Sequence, residues 1–374
     1  MKKRKKKWEI NKNEQKRCDS VKKIVKENIN NKINSSNNIS FSSNSSINDK
    51  IIFDSYCPTD IDCSFIVFFS VNKKNPYIIY TDMKKSICCY NLMNNKIEQE
   101  KKNAHVEPIS NFRYYFNRSY NEYIMSLSYR NKQIKIWDFK TWNVKFNLLK
   151  IYQEGFLYSA CFLKNRNNFA KSLFLTSNWV DSKNVDYIRI YDYSNCKGDK
   201  YKIIKESNDN VLFMDTYYDI DKNIEYIITS NKGYIKSYNY NENKLYYKYH
   251  DNKNYSNIFS FIINKENNFL KIIESSEHGT IRIWDFHSGS LYFKFDIETN
   301  WIGGICLYNK DYLLVGCGDK TIKLIKIKEG IVSDCLRGHQ GKVCSIKKLK
   351  ISNTFFSLGK DNKIRKWENI INIK

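Results

Sequence analysis

One motif recurs through this chain, in seven copies of which the sixth is degenerate, and constrains its fold more than any other feature: alternating β-formers that end in an aromatic residue and an acid or amide. The copies are Ile87-Cys88-Cys89-Tyr90-Asn91, Ile134-Lys135-Ile136-Trp137-Asp138, Ile188-Arg189-Ile190-Tyr191-Asp192 and Ile235-Lys236-Ser237-Tyr238-Asn239. Ile281-Arg282-Ile283-Trp284-Asp285, Ile322-Lys323-Leu324-Ile325-Lys326 and Ile364-Arg365-Lys366-Trp367-Glu368 complete the set. Between aromatic positions the steps are 47, 54, 47, 46, 41 and 42 residues. A repeat of that length holds four short strands, and seven such units make an all-β, seven-bladed propeller. Enrichment in Tyr, Phe and Ile suits strands. With 13 Gly and 3 Pro in 374 residues, many turns fall to Asn and Asp, which tolerate left-handed backbone.

Two regions differ in character. Residues 1–48 carry the run Lys2, Lys3, Arg4, Lys5, Lys6, Lys7, then a mixed-charge stretch, then an Asn/Ser tract with hardly an apolar side chain. Such a segment cannot bury enough surface to offset its ordering entropy, so it is expected to be a disordered basic tail. Residues 49–374 are expected to be the propeller. An open ring would leave sheet edges unpaired, and the segment Lys50–Asp54 is the favoured strand to complete the last blade. The tail Ile370–Ile373 competes for the same place.

The formal net charge is +24, which suits acidic partners such as nucleic acid or anionic surfaces. Abundant Lys, Asn, Ile, Tyr and Phe also follow from A/T-rich coding, so charge alone selects no partner. The eleven cysteines are scattered and none has C-x-x-C spacing, which reads as reduced thiols in an intracellular compartment. The most apolar run, 65–71, is too short to span a bilayer. The expectation is a soluble protein without a membrane span, nuclear through the basic tail or otherwise cytoplasmic.

The repeat residues resemble those of the WD40 repeat family over about residues 50–374. Trp137-Asp138 and Trp284-Asp285 match the family's signature dipeptide, and the last repeat matches best, with Gly338-His339, Ser357, Asp361 and Trp367. The resemblance implies a seven-bladed WD40-type β-propeller. It also implies that His339, Ser357, Asp361 and Trp367 form a buried structural network, of the kind that rigidifies a core when satisfied. His105 and His250 sit about where the opening His belongs in two other repeats. Asn131 and His278 stand where the family prefers Asp, and the sixth repeat keeps Asp319 but ends Ile325-Lys326.

Chemistry finds little foothold. Three of five histidines fall at repeat positions, and His278 with His287 lacks a Cys or carboxylate at a metal-ligand spacing. There is no Walker or Rossmann phosphate loop. No catalytic set, cofactor, metal or small-molecule substrate is expected. The family's phosphoinositide signature F-R-R-G is absent, with only Leu336-Arg337-Gly338 present. Lys140 and His287 stand where ligase-receptor propellers often carry Arg.

The reading that follows is a non-catalytic scaffold that binds proteins or peptides on the propeller faces, as a subunit or adaptor of a larger complex. Candidate contacts are Trp179, within a polar turn placed at Asn178–Asp186, and Trp301 at the start of the sixth blade. The alternative is a ribonucleoprotein or ribosome-assembly factor whose basic tail and face contact RNA; in it Lys2–Lys7 bind phosphates or serve as a targeting signal.

Overall fold

The computed structural model describes residues 48–54, 65–82, 85–117, 119–149, 156–164, 173–179, 188–192, 201–204, 210–252, 256–267, 269–368 and 370, with backbone alone at 48–54, 173, 178 and 179. Its strands form seven four-stranded antiparallel sheets, six of them with consecutive strands as neighbours. The first six blades span 65–101, 111–148, 156–203, 213–250, 258–296 and 302–336. The seventh combines 343–368 with the strand Asn48–Asp54. First strands touch from blade to blade around the ring, and the first strand of blade 7 (Val343–Lys348) meets that of blade 1 (Phe65–Phe69).

Each sheet packs on both faces, so its middle strands lose the usual alternation of apolar and polar residues. All six residues of Pro76–Thr81 are buried, as are five of six in Tyr312–Cys317. The fourth strands lie at the rim, and Lys96–Lys101 has no buried residue. Burial therefore falls from the axis outward, and seven apolar clusters fill the spaces between blades.

The ring is closed by its own beginning. Asn48–Asp54 pairs antiparallel with Lys363–Glu368, with Asp49 opposite Trp367 and Asp54 opposite Lys363. The favoured strand is thus the one used, and Ile370 packs beside Trp367 in the cluster between blades 6 and 7. Residues 371–374 lie outside the described residues. So do 1–47 and with them the basic run.

Asparagine carries many of the turns. Positive φ occurs at Asn95, Asn103, Asn223, Asn243, Asn267 and Asn362. Gly279 is a position that needs glycine, since its φ is +97° and a side chain there would meet the Ile297 carbonyl at 2.7 Å.

Two buried carboxylates bind successive blades together. Glu122, at the start of the second strand of blade 2, accepts from Ser70 Oγ and the Val71 amide of blade 1, both at 2.8 Å. Tyr114 OH also donates to it. Glu225 in blade 4 accepts from the Lys164 amide of blade 3 at 2.9 Å. Each satisfies backbone donors at a turn that the neighbouring sheet would otherwise cover.

Candidate functional site

Antiparallel order puts the turns between second and third strands, and the connections between blades, on one face of the ring. The network in blade 7 holds that face in shape. Trp367 Nε1 donates to Ser357 Oγ at 2.7 Å, and Ser357 Oγ lies 2.7 Å from His339 Nε2. His339 Nδ1 in turn lies 2.9 Å from Asp361. Burial pushes the Asp361 carboxyl upward, but His339 and the Gln340 and Lys363 amides outweigh it and hold it below the usual range. The four residues named in the sequence thus meet as one chain, from a strand through a loop to a turn.

Blade 2 carries three of the four members. His105 Nε2 and Trp137 Nε1 each lie 2.8 Å from Ser126 Oγ. Asn131 stands at the Asp position, and His105 Nδ1 and Asn131 Oδ1 are both buried without a partner. Burial and the nearby Lys135 press His105 down to about 3, so it is neutral. Asn131→Asp should give the His105 N–H a carboxylate and stabilise the fold by about 1 kcal/mol. Comparing thermal melting of the two chains checks this, with a raised midpoint expected.

Blade 5 departs further. His250 is exposed at the end of its strand and His278 is exposed in its turn, so neither joins a network. Glu274 stands where Ser357 stands, ten residues before the repeat's Trp. Its Oε1 lies 3.2 Å from Arg282 Nη1, and Arg282 Nε lies 3.1 Å from Asp251. Lys294 completes the set at 2.8 Å from Asp251. An ionic chain therefore replaces the neutral one, and the Trp284 indole helps Arg282 to hold the buried Glu274 carboxyl. Burial raises the Glu274 carboxyl to about 7 against the pull of Arg282. The folded chain then holds this proton more tightly than the unfolded chain. Its contribution to stability is present below about 4.5 and is lost as the pH rises through about 7. In Glu274→Gln that decline should vanish, and the difference in unfolding free energy between pH 5 and pH 8, measured by denaturant titration, should shrink by an amount on the order of 1–3 kcal/mol.

Third-strand cations tie down the inter-blade connections. Lys135 Nζ donates to the Ala104 carbonyl at 2.5 Å, Lys323 Nζ to the Glu298 carbonyl, and Arg282 reaches Asp251. The loops on this face are thus held at several points rather than free.

Charge on the face is uneven. Around blades 7, 1 and 2 its described loops carry Arg337, Lys342, Lys360, Lys85, Lys102, Arg130 and Lys132. Of the acids there, Asp361 is bound to His339 and Asp82 to the Ser86 amide, leaving Glu107. Around blades 5 and 6 the loops carry Asp251, Glu277, Glu298 and Asp319 with Lys320, but Asp251 is paired with Arg282 and Lys294, and Asp319 with Lys323. Exposed apolar side chains gather near blade 2: Val106 is 73% exposed, Leu149 55% and Phe156 46%. Phe156 packs on Tyr129 with ring centroids 5.7 Å apart, and Arg130 Nε donates to Tyr129 OH at 2.9 Å.

Both tryptophans chosen from the sequence are placed differently from expectation. Trp301 is only 5% exposed and packs among Phe65, Tyr80, Phe356 and Ile364, with Lys342 Nζ 5.2 Å above its ring. A side chain at Gly303 would collide with that ring, so the glycine makes room for a core residue rather than a docking anchor. Asn178 and Trp179 end the strand Leu173–Trp179, opposite Leu157 and Phe156, and do not form a turn; residues 180–187 lie outside the described residues. Phe156 and Leu149 escaped the sequence reading because each continues an apolar pattern that core residues share, and Val106 because nothing in its polar loop marks it out. Glu274 could have been found by counting ten residues back from Trp284.

Among the described residues no group of three or more His, Cys, Asp or Glu could hold a metal ion. His287 Nδ1 lies 3.2 Å from Tyr246 OH and 3.5 Å from Lys222 Nζ. No helix there is long and apolar enough to cross a membrane. The fold is that of a closed seven-bladed β-propeller. No protein-family model matches the chain, and no curated protein matches it.

Proposed function

We propose that this protein is a non-catalytic binding platform of the WD40 type, a scaffold subunit or adaptor that holds proteins or peptides on its propeller. The observation that carries this reading is one loop face that combines anchored loops, uneven charge and exposed apolar side chains. Such side chains on a rigid support lose little entropy on binding, which is how compact contacts gain affinity. The repeat residues support the WD40 assignment through the blade 7 network and its partial copy in blade 2.

Affinity capture with the full chain, with and without nuclease, tests the reading. A platform retains discrete proteins after nuclease treatment. Loss of all partners on nuclease digestion would instead favour the ribonucleoprotein role, with Lys2–Lys7 contacting phosphates and binding that falls steeply with salt.

A further inference from the structure

On the face opposite the one described above, a turn of blade 4 and a turn of blade 5 meet at His287. Its Nδ1 lies 3.2 Å from Tyr246 OH and 3.5 Å from Lys222 Nζ. An ammonium group can only donate, so Nδ1 is the acceptor and the imidazole proton sits on Nε2. The Tyr226 hydroxyl is bonded in turn to that of Tyr246 and holds its own proton more tightly for it, which leaves the Tyr246 proton for His287. Neighbours fix the ring. Phe286 and Tyr246 stand edge-on to it, with centroids 5.3 and 6.4 Å away, and the Asp285 carboxylate holds its turn by accepting from the His287 and Ser288 amides. On the blade 4 side Asp219 accepts from the Asp221 and Lys222 amides, and Lys265 of blade 5 lies 3.1 Å from Asp221.

We propose that His287 is a proton-operated latch between blades 4 and 5, closed while its Nδ1 accepts and opened by a proton taken up there from water. The protonated ring would turn an N–H and a positive charge toward the Lys222 ammonium 3.5 Å away, so that Lys222 loses its acceptor and meets a like charge. Tyr246 would lose its acceptor as well, and the chain Tyr226–Tyr246–His287 would have to reverse. The charged groups around the ring divide. Lys222 and Lys265 oppose the proton, whereas Asp219 and Asp285 favour it; burial and Lys222 prevail and hold the imidazole below its ordinary value. A histidine so held binds its proton less tightly in the folded chain, so its contribution to stability is full above its ordinary value and declines as the pH falls. The latch is closed at neutral pH and opens on acidification. Lys265 and Asp221 keep the two blades tethered when it does, so opening frees the Lys222 turn without breaking the ring of blades.

NMR titration of the full-length chain, labelled at histidine Cε1, tests the latch, with the His287 signal assigned by its loss in His287→Gln. That signal should titrate with a midpoint below about 6.5, the value of a free imidazole. Lys222→Met and Tyr246→Phe each remove a donor to the neutral ring, and each should raise the midpoint by about 0.2–1 pH unit. Backbone hydrogen exchange, corrected for its intrinsic pH dependence, reads the opening. Segments 219–223 and 286–290 should exchange faster below the midpoint. This step should be absent in His287→Gln and should move with the midpoint in Lys222→Met. Thermal melting confirms that each variant is folded. Lys222 is exposed, so Lys222→Met, which should shift one histidine signal alone, carries the test if His287→Gln does not fold. A midpoint at or above about 6.5, a midpoint that neither substitution moves, or titration with no change in exchange would overturn the proposal. None of these outcomes bears on the platform reading.

Discussion

A chain that begins at Ser55 is expected to lose about 5–10 °C of melting temperature relative to one that begins at Asn48. The truncation removes the fourth strand of blade 7, whose residues pair with Lys363–Glu368. Backbone donors and acceptors of that strand would face water, and each lost hydrogen bond costs a net 0.5–1.5 kcal/mol or so. Trp367, 1% exposed in the folded protein, would then sit in an edge strand. The cost sums to several kcal/mol, at about 1.5 °C per kcal/mol for a chain of this size. Closure also explains why the effect should exceed a local fray. Blade 7 lies between blades 6 and 1, so loosening it opens the ring at the point where chain start and chain end meet. Melting followed by circular dichroism compares the two truncations. Coincident curves would show that the strand contributes nothing to closure.

Gly359→Ala is expected to cost about 2–4 kcal/mol, more than most single-methyl additions. Gly359 packs directly against the blade 7 network, and a Cβ there would lie 2.6 Å from His339 Nδ1 and 2.7 Å from Asp361 Oδ1. Neither atom can yield without breaking the bond between them, and overpacking combined with a lost buried hydrogen bond falls in that range. Ser357→Ala provides the comparison, because it removes the hydroxyl that both Trp367 and His339 use. Two buried polar groups lose their partner, for a similar cost. If both variants melt within a degree or two of wild type, the network is not what holds this blade.

The architecture was legible in the sequence because a propeller repeats its core contacts at a fixed interval. In all blades but the sixth, where Ile325 stands, the third strand announces the blade through an aromatic residue, and Trp137, Tyr191, Tyr238 and Trp367 pack into the spaces between sheets. The closing strand was legible too, since an unpaired edge beside Lys363–Glu368 needs a partner. The binding face was not. Trp301 looked like an anchor because it stands at the start of the sixth blade, yet Gly303 admits its indole to the core. The ionic chain of blade 5 was hidden for another reason. Glu274 reads as an exposed strand residue until Arg282 and Asp251 are seen to meet it across two strands and a loop. Exposure at Val106 and Phe156 depends on how neighbouring blades lean over them, which no local pattern encodes.

Cross-linking mass spectrometry of complexes captured on the full chain tests the central claim most directly. The platform reading predicts that partner cross-links concentrate on lysines of the loop face, above all Lys85, Lys102, Lys132 and Lys342. Cross-links concentrated on Lys73, Lys140, Lys310 and Lys350 of the opposite face, or spread evenly over both, would contradict it.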